Sequence, residues 1–398
     1  MKKHISLGFL TALCGIVLLA GCNKEENGGV DRKITDLSAD ATANCYIVSS
    51  SGSYKFKTVR GNSATPVGSP SKAEVLWESF GTDVAPKVGD IVKSVEYKDG
   101  YVFFNTPGKL NNGNAVIAVK DAGGDILWSW HIWVCKDYAP TKDNQHVYNN
   151  NAGIVMDRNL GATSATPGDV QASGLLYQWG RKDPFLSAGR KPASTEADAY
   201  YGEDVYGSVA APAAYDQAAS TLSWPSAVKS DATTGTIDYA IKHPTTYIQK
   251  IDSGNDWARV SVTKRWHNTK KTEYDPCPAG WKVPSELPNS EGGFVTPWRM
   301  AFSSPIWTNP SNWDKTNLGM DFAKTDKKLG AYDSIWYPAA GLRYYDGSLT
   351  YVGYVSAYWT TYAESSFVLS MQFEGRGHVN AYQSVPCAVG ASVRCVAE

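Results

Sequence analysis

The proline-rich stretch from Tyr274 to Ser285 constrains the fold of this chain more than any other segment. Its sequence is Tyr-Asp-Pro-Cys-Pro-Ala-Gly-Trp-Lys-Val-Pro-Ser. Proline lacks a backbone N–H and has a fixed φ, so a run with three prolines and a glycine can form neither an α-helix nor a central β-strand. We therefore predict a rigid, extended segment here, and we call residues 274–285 the proline-rich corner.

The cysteine in this corner predicts a long-range covalent link. Cys277 lies between two prolines, and Cys395 lies in the short β-like run Ser392–Val396. In an oxidising compartment, a disulfide between them would close the last third of the chain into one loop. The chain-entropy model gives such a loop a stabilisation of about 4 to 5 kcal/mol. The alternative is two unrelated cysteines, one of them buried and reduced.

The length and composition indicate a β-rich protein with a substantial core. The chain has 398 residues, of which 42% are hydrophobic and 12% aromatic, which is enough for two domains. Only 19% are charged, while Gly, Pro, Trp and Tyr are abundant, as in loop-rich β architectures. The formal net charge of −1 provides no basic face for nucleic acid, so we exclude a nucleic-acid-binding protein.

The N-terminus predicts export and lipid attachment. Lys2 and Lys3 precede an apolar segment, residues 5–20, that is too short to span a bilayer comfortably. Leu-Ala-Gly-Cys at residues 19–22 then matches the bacterial lipobox. We predict that residues 1–21 form a lipoprotein signal peptide, that Cys22 carries the lipid, and that residues 22–36 form a polar tether. The alternative is an ordinary secretory signal.

The cysteine count leaves one thiol over in the mature chain. Of the seven cysteines, Cys14 is lost with the signal peptide and Cys22 is used by lipidation. An odd number then remains, so at least one is unpaired or bonded elsewhere. Besides the pair already predicted, Cys45 could pair with Cys135, which would leave Cys387 unpaired.

Residues 37–138 are predicted to form an antiparallel β-sandwich domain. Strand-length runs of β-branched and aromatic residues alternate with Gly, Pro, Asn and Asp. Lys98-Asp99-Gly100 is typical of a hairpin turn. In the last run, residues 126–134, we expect one face to point into the core, and this face carries Trp128, Trp130, Ile132 and Val134.

A second domain is predicted for residues 151–398, after a polar linker at 139–150. Residues 187–236 resemble a long surface insertion in composition, with a helix at best around 211–220. We expect a short helix within 294–308, and strands return from Ser334 onward. The expected fold class is therefore β-rich α+β, with an N-terminal sandwich and a second domain with long loops.

The second domain resembles a known family. Asp275–Pro284 resembles the signature of the Fibrobacter succinogenes major paralogous domain, which is widespread in surface proteins of Bacteroidetes. Further matching pieces follow in order between residues 151 and 397, namely Met156–Gly161, Gly174–Gly180, Gly341–Gly347, Tyr358–Thr360 and Ser392–Cys395. This order resembles the C-type-lectin-like architecture that is shared with the formylglycine-generating enzymes. The resemblance implies that Trp179, Trp281, Trp336 and Trp359 belong to the core.

Two N-terminal features resemble Bacteroides lipoproteins as well. Asn44–Val48 together with Trp128–Trp133 is similar to an N-terminal β-sandwich module that recurs in these proteins. Lys24-Glu25-Glu26 resembles the charged signal that sends such lipoproteins to the outside of the outer membrane, although any solvated linker has this composition. The expected localisation is therefore the outer membrane, lipid-anchored and exposed on the cell surface.

The sequence contains no motif for catalysis, metal binding or a cofactor. It lacks His-Glu-x-x-His, Cys-x-x-Cys, a phosphate-binding glycine loop and Gly-x-Ser-x-Gly, and its histidines are scattered. The Glu-Pro-Asn, Gln-Pro-Asp and Trp-Asn-Asp triplets of calcium-dependent lectins are also missing. The copper-binding cysteine pair of the formylglycine-generating enzymes cannot be placed here. We expect a protein that is not an enzyme and that has no cofactor.

Aromatic residues are the candidates for ligand binding. The chain has 14 Trp and 23 Tyr, and a sugar ring can pack its C–H face on an exposed aromatic ring. The alternative is that these side chains fill the core under long loops. Six lie in predicted loops or hairpin edges of the second domain and could form a binding platform, namely Trp298, Trp307, Trp313, Tyr344, Tyr345 and Tyr351.

These features favour an adhesin-like lipoprotein whose C-terminal loops bind a glycan, a mucin or a surface protein. A first alternative is a structural or tip component of a fimbria-like assembly, whose first domain docks to neighbouring subunits by strand addition. A second alternative is a surface glycan hydrolase with two carboxylates across a cleft. An exposed aromatic platform would favour the adhesin. An open strand edge would favour the fimbria-like assembly, and a pocket with two facing acids would favour the hydrolase.

Overall fold

The computed structural model describes residues 33–193, 205, 207–210, 226–252, 254–259, 265–289, 293–304 and 306–398. The predicted signal peptide, the lipidation site Cys22 and residues 22–32 of the predicted tether lie outside the described residues. The helix expected around 211–220 also lies outside them. Residues 34–398 form a single packing unit.

Eight strands form the N-terminal part as two four-stranded sheets. Their orders are β1-β3-β6-β5 and β2-β8-β7-β4. Most pairs are antiparallel as predicted, but β1 runs parallel to β3 and β2 runs parallel to β8. The strands are β1 (Ile34–Asp36), β2 (Cys45–Val48), β3 (Ser53–Lys57), β4 (Lys72–Ser79), β5 (Ser94–Lys98), β6 (Tyr101–Asn105), β7 (Gly113–Lys120) and β8 (Ile126–Val134).

The predicted core face of β8 is confirmed. Trp128, Trp130, Ile132 and Val134 are buried between the two sheets, where the ring of Trp130 lies 5.1 Å from that of Phe56. The predicted hairpin turn between β5 and β6 is also present. Asp99 and Gly100 both have positive φ values, 49° and 80°, which is the requirement of a type I′ turn.

The C-terminal part is built from short strands around one large sheet. The strand order of the large sheet is β12-β11-β27-β23-β25-β26-β18, and β21, β22 and β24 pair with strands of this sheet or with each other. A separate four-stranded sheet has the order β15-β28-β10-β9. From residue 145 to residue 308 the strands are β9 (Gln145–Tyr148), β10 (Gly153–Met156), β11 (Leu175–Gln178), β12 (Phe185–Leu186), β13 (Ser226–Val228), β14 (Thr246–Ile248), β15 (Trp281–Lys282), β16 (Leu287–Pro288), β17 (Phe294–Val295) and β18 (Ile306–Thr308).

Ten further strands complete this part of the chain. They are β19 (Gly319–Asp321), β20 (Trp336–Pro338), β21 (Leu342–Arg343), β22 (Leu349–Thr350), β23 (Val355–Tyr358), β24 (Ala363–Glu364), β25 (Phe367–Glu374), β26 (His378–Pro386), β27 (Gly390–Ser392) and β28 (Val396–Ala397). The described residues contain two α-helices, α1 (Ile237–Lys242) and α2 (Pro297–Phe302). Helix α2 confirms the helix expected within 294–308, and the predicted β-rich α+β class is confirmed.

Helix α2 is short because its signals are local. The Thr296 side chain accepts the backbone N–H of Arg299, and proline occupies the first turn, where no N–H is needed. Ser303 ends the helix in the left-handed conformation at φ 55°. Four of its six residues are buried, so packing against the sheet stabilises a helix that would be marginal alone.

The second face of β8 is buried as well, which the strand pattern did not predict. Ser129, His131 and Trp133 are all at most 2% exposed. Trp133 shares a core cluster with Tyr177 and Trp179 of the C-terminal part, and its indole N–H donates to the carbonyl of Ala162 at 3.2 Å. The sheet of β8 is therefore a middle layer. The predicted domain boundaries at 138 and 151 stay predictions, but residues on both sides of them share one core.

A buried ion pair lies at this contact. The Lys182 ammonium donates to the Asp183 carboxylate at 2.6 Å, to the Ser129 hydroxyl at 2.6 Å and to the Ser129 carbonyl at 3.0 Å. The Ser129 hydroxyl in turn donates to Asp183 at 2.6 Å. Burial lowers the pKa of Lys182 from its ordinary value, and the Asp183 charge opposes that shift. Because both charges are buried, each depends on the other.

The disulfide of the proline-rich corner is present as predicted. Cys277 and Cys395 are bonded, with their Cα atoms 6.1 Å apart, and they are separated by 118 positions in sequence. The corner forms neither a helix nor a long strand, as expected, but it is not extended throughout, because it turns at residues 279–280, where Gly280 has φ 78°. The corner contributes only the two-residue strand β15, which lies at the edge of its sheet beside β28. Residues Trp281 and Trp179 are buried, as are Trp336 and Trp359, which confirms that these four tryptophans belong to the core.

The pairing of Cys45 with Cys135 is wrong. Both thiols are free and buried, as is Cys387. Cys45 is opposite His131 at the start of the parallel strand pair, whereas Cys135 follows Val134 at its other end. Since each strand residue advances about 3.3 Å, the two cysteines lie too far apart to bond.

Candidate functional site

Two of the six predicted platform residues are buried and two others are half-buried. Trp298 and Trp313 are 1% and 7% exposed and belong to the core between α2 and the large sheet. Trp307 is half-buried against Phe302, with 4.5 Å between the ring centroids, and Tyr351 is also half-buried. Trp298 and Trp313 are therefore removed from the platform, because the sheet that follows later in the chain covers them.

Tyr344 and Tyr345 remain as an aromatic pair near the surface. They lie in the turn that joins β21 to β22, and we call residues 342–350 the tyrosine hairpin. Their ring centroids are 4.5 Å apart, Tyr344 is 46% exposed, and Tyr345 is half-buried. The ammonium of Lys250 lies 5.0 Å from the centroid of the Tyr345 ring, within the range of a cation–π interaction.

The tyrosine hairpin is held from beneath by a buried arginine. The Arg343 guanidinium donates to the carbonyl of Leu186 at 2.9 Å and to that of Gly347 at 2.6 Å. Gly347 has φ 85°, and a Cβ at this position would lie 3.1 Å from the Tyr247 ring. Glycine therefore satisfies both the backbone conformation and the close approach. The turn that carries the two tyrosines is fixed before any ligand arrives.

Polar groups lie next to the two rings. The Asp346 carboxylate accepts the backbone N–H and the hydroxyl of Ser348 at 2.9 Å and 2.6 Å. None of the ion pairs between described residues includes Lys250. The hairpin therefore presents aromatic carbon and a carboxylate, and Lys250, from the segment after β14, adds a cation beside them.

Lys250 was missed by the sequence analysis. It follows β14, far from the tyrosines in sequence, and residues Ser226–Val228 pair with that strand in parallel. No local pattern relates a lysine at 250 to a tyrosine at 345, because only the packing of β14 under the hairpin brings them together. The Tyr247 hydroxyl donates to the carbonyls of Arg343 and Ala388 and thereby makes this packing specific.

Two other carboxylates have structural roles. Glu78 accepts backbone N–H groups from Gly89, Ile91 and Val92, and Asp275 accepts those of Cys277 and Val283. Burial raises the pKa of Glu78, and it raises that of Asp275 to about 6. Each of these carboxylates already binds backbone donors, so neither is free to act on a ligand.

One described cleft contains two acids, but both are exposed. This cleft has a volume of about 890 Å³ and includes Asp40 and Glu398, and Glu398 pairs with Lys271 at 3.1 Å. A general acid in a glycosidase needs a carboxyl group whose surroundings keep it protonated. No group of three or more His, Cys, Asp or Glu side chains suited to a metal ion occurs among the described residues.

Strand addition to the N-terminal part would take place at an edge strand of one of its sheets. Strand β5 is the last strand of its sheet, and Glu96 and Lys98 on it are exposed. Charged side chains on an edge strand oppose pairing with another chain. In the part of the chain that is described, no helix is long and apolar enough to cross a membrane.

Comparison with known proteins adds no further information: no protein-family model, curated protein or solved structure matches this chain.

Proposed function

We propose that this chain is a lipid-anchored surface protein that binds glycans through the tyrosine hairpin. The observation that carries the proposal is the rigid pair of Tyr344 and Tyr345, with Lys250 placed over the second ring. The lipobox at Cys22 supports anchoring, and the resemblance of residues 151–397 to the Fibrobacter succinogenes major paralogous domain supports a surface location.

The chemistry of the hairpin suits a sugar ring with polar substituents. One face of a sugar ring is apolar C–H surface, which packs on the exposed face of Tyr344. Its hydroxyl groups can donate to the Asp346 carboxylate, and an acidic substituent can pair with Lys250. The acidic, sulfated or sialylated sugars of mucins fit this combination better than an uncharged sugar does.

Preorganisation gives such a small surface useful affinity. Tyrosine has few rotatable bonds, and Arg343 fixes the turn beneath both rings. Binding therefore requires little ordering of the protein, which is one of the main costs of association.

The test is an array of neutral and acidic glycans and mucins. The probe protein is the mature chain with Cys22→Ser, so that no lipid is attached. We expect binding to a defined acidic glycan, unaffected by EDTA, and at least tenfold weaker binding after Tyr344→Ala or Tyr345→Ala, or about 1.4 kcal/mol.

The matched control is Tyr101→Ala. Tyr101 also lies in a hairpin, close to Phe103, and carries Lys55 at 4.4 Å from its ring, so it offers the same chemistry elsewhere. Its replacement should leave glycan binding unchanged. Equal losses in Tyr101→Ala and Tyr344→Ala, or binding that survives the double replacement of Tyr344 and Tyr345, would overturn the proposal.

A further inference from the structure

A second, smaller cavity lies against the proline-rich corner. It has a volume of about 180 Å³, and its walls include Trp179, Trp266, His267, Asn268, Thr361 and Tyr362. We call it the Trp266 cavity. Two of its walls are fixed to the corner, because the Trp266 indole N–H donates to the carbonyl of Tyr274 at 2.8 Å and the Thr361 N–H donates to that of Pro284 at 2.9 Å. None of these residues belongs to the tyrosine hairpin.

Two tryptophans form the apolar side of the cavity. Trp179 and Trp266 meet edge to face, with 5.7 Å between ring centroids, and both are 1% exposed. The indole N–H of Trp179 donates to the carbonyl of Thr360 at 2.9 Å, and that of Trp266 is also satisfied by a carbonyl. Both N–H donors are already used and both rings are almost fully buried, so the tryptophans give the cavity wall a small area of aromatic carbon rather than an open ring face.

The Thr361 hydroxyl is buried without a partner. Thr361 is 5% exposed, and its Oγ1 makes no hydrogen bond among the described residues. The hydroxyl of the preceding residue, Thr360, donates to the carbonyl of Leu369. Of these two neighbouring hydroxyl groups, therefore, only that of Thr361 lacks a hydrogen-bond partner among the described residues. A buried polar group without a partner is unfavourable unless a ligand or water supplies one.

Three further polar groups are available to a ligand. His267 Nδ1 accepts the backbone N–H of Thr269 at 3.3 Å, so the neutral imidazole carries its proton on Nε2 and can donate it. The Asn268 amide and the Tyr362 hydroxyl make no side-chain hydrogen bond to described residues. The cavity therefore has one aromatic side and several unpaired donors and acceptors.

We propose that the Trp266 cavity binds a single neutral sugar ring. A sugar ring has hydroxyl groups that can pair with Thr361, His267 and Asn268, and its apolar C–H face can pack on the small area of aromatic carbon that the tryptophans leave in the wall. The volume corresponds to roughly six water molecules at about 30 Å³ each, which suits one ring rather than a chain of rings. Among the described residues that line the cavity there is no lysine or arginine, so an uncharged ring fits this lining better than an acidic one.

The test is titration of the mature Cys22→Ser chain with single free monosaccharides, followed by calorimetry and saturation-transfer NMR. The probes are glucose, galactose, mannose, fucose, N-acetylglucosamine and N-acetylgalactosamine. We expect at least one of them to bind at one site, with a Kd that rises about tenfold in Thr361→Val and in Asn268→Ala. Valine keeps the shape of threonine and removes only the unpaired hydroxyl, so Thr361→Val should fold as well as the parent chain.

The control separates this site from the tyrosine hairpin. Tyr344→Ala should keep its monosaccharide affinity, and Thr361→Val should keep its binding to the acidic glycan. Failure of all six monosaccharides to bind at about 50 mM would overturn the proposal, since a neutral-sugar site should be occupied at such concentrations. Unchanged affinity in both Thr361→Val and Asn268→Ala would equally overturn it, even if a sugar binds elsewhere on the protein.

Discussion

The carboxylate of Asp275 accepts the backbone N–H of Val283 at 2.9 Å and so closes the proline-rich corner from within. Its other oxygen accepts the N–H of Cys277, also at 2.9 Å. The prolines lack backbone N–H groups, so this segment cannot form a regular ladder of hydrogen bonds with a neighbouring strand. The Asp275 side chain accepts two of the remaining backbone N–H groups instead. Burial raises the pKa of Asp275 to about 6, because the charged carboxylate loses its contact with water. The residue is nevertheless hard to replace, because its two oxygens accept two backbone N–H groups.

Asp275→Asn should lower the free energy of unfolding by about 1 to 3 kcal/mol, because the amide nitrogen would face one of the two backbone donors and leave it unpaired. Urea unfolding at pH 8, well above the pKa of Asp275, measures this change. Asp99→Asn is the matched control, since Asp99 is exposed in a turn with φ 49°, a conformation that asparagine accepts. Equal effects of the two substitutions would contradict this role of Asp275.

Loss of the disulfide should destabilise the protein through its loop length. Replacing both Cys277 and Cys395 with serine should cost about 4 to 5 kcal/mol, because the bond closes a loop of 118 residues. Each single replacement should cost nearly as much as the double, since either one opens the same loop. Alkylation of the denatured, unreduced protein should modify Cys45, Cys135 and Cys387. Modification of Cys277 or Cys395 under these conditions would show that the bond is absent.

Lys182→Met should destabilise the contact between the N- and C-terminal parts by about 3 to 5 kcal/mol. It would leave the buried Asp183 carboxylate without a counter-charge. The double variant Lys182→Met/Asp183→Asn should recover part of this loss. Lys242→Met is the control, because its ion pair with Asp238 is exposed and should contribute less than about 1 kcal/mol. Chemical unfolding of all three variants tests this, and similar losses for Lys182→Met and Lys242→Met would contradict it.

His131 should make the protein sensitive to acid. Burial lowers the pKa of His131 to about 3, and its Nε2–H donates to the Asn114 side chain at 2.9 Å. The unfolded chain therefore takes up a proton near pH 6.5 before the folded chain does, and stability is lost as the pH falls from about 6.5 towards 3. The slope from this group alone reaches about 1.4 kcal/mol per pH unit.

The measurement compares variants, since other groups titrate in the same range. The raised pKa values of Asp275 and Glu286 act in the opposite direction, because their contributions fall as the pH rises through about 4 to 7. His131→Gln should flatten the dependence of unfolding free energy on pH between 4 and 6, relative to the parent chain. His378→Gln, at a partly exposed position, should leave it unchanged. Parallel curves for His131→Gln and the parent chain would refute the role of His131.

Local features were predictable because their physical causes are local. Prolines rigidify the corner wherever it lies in the fold, and Lys98-Asp99-Gly100 forms its turn through the φ preferences of its own residues. The alternating pattern of β8 likewise identified one face of the strand as core. The disulfide was predictable only as one of several pairings, and the geometry that selects Cys395 over the other cysteines comes from the pairing of β15 with β28.

Exposure could not be predicted, because it depends on what a distant segment covers. Trp298 and Tyr344 are both aromatic residues in predicted loops, yet one is 1% exposed and the other 46%. The difference is that the large sheet packs over α2, whereas nothing in the described chain covers the tip of the tyrosine hairpin. In the same way, the second face of β8 is buried only because the C-terminal part packs on it.

The sequence by itself determined the β-rich class, the proline-rich corner, the short helix α2 and the β-strands of the N-terminal part except β1, since each follows from the conformational preferences of adjacent residues. Strand β1 lies in the stretch predicted as a tether, and it forms by pairing with β3. Only the tertiary structure decided which aromatic rings reach solvent, how Lys250 comes to lie over Tyr345, and where Thr361 leaves a hydroxyl unpaired beside two tryptophans. These features depend on contacts between residues tens to hundreds of positions apart, and such contacts are fixed by the packing of whole sheets rather than by any local pattern.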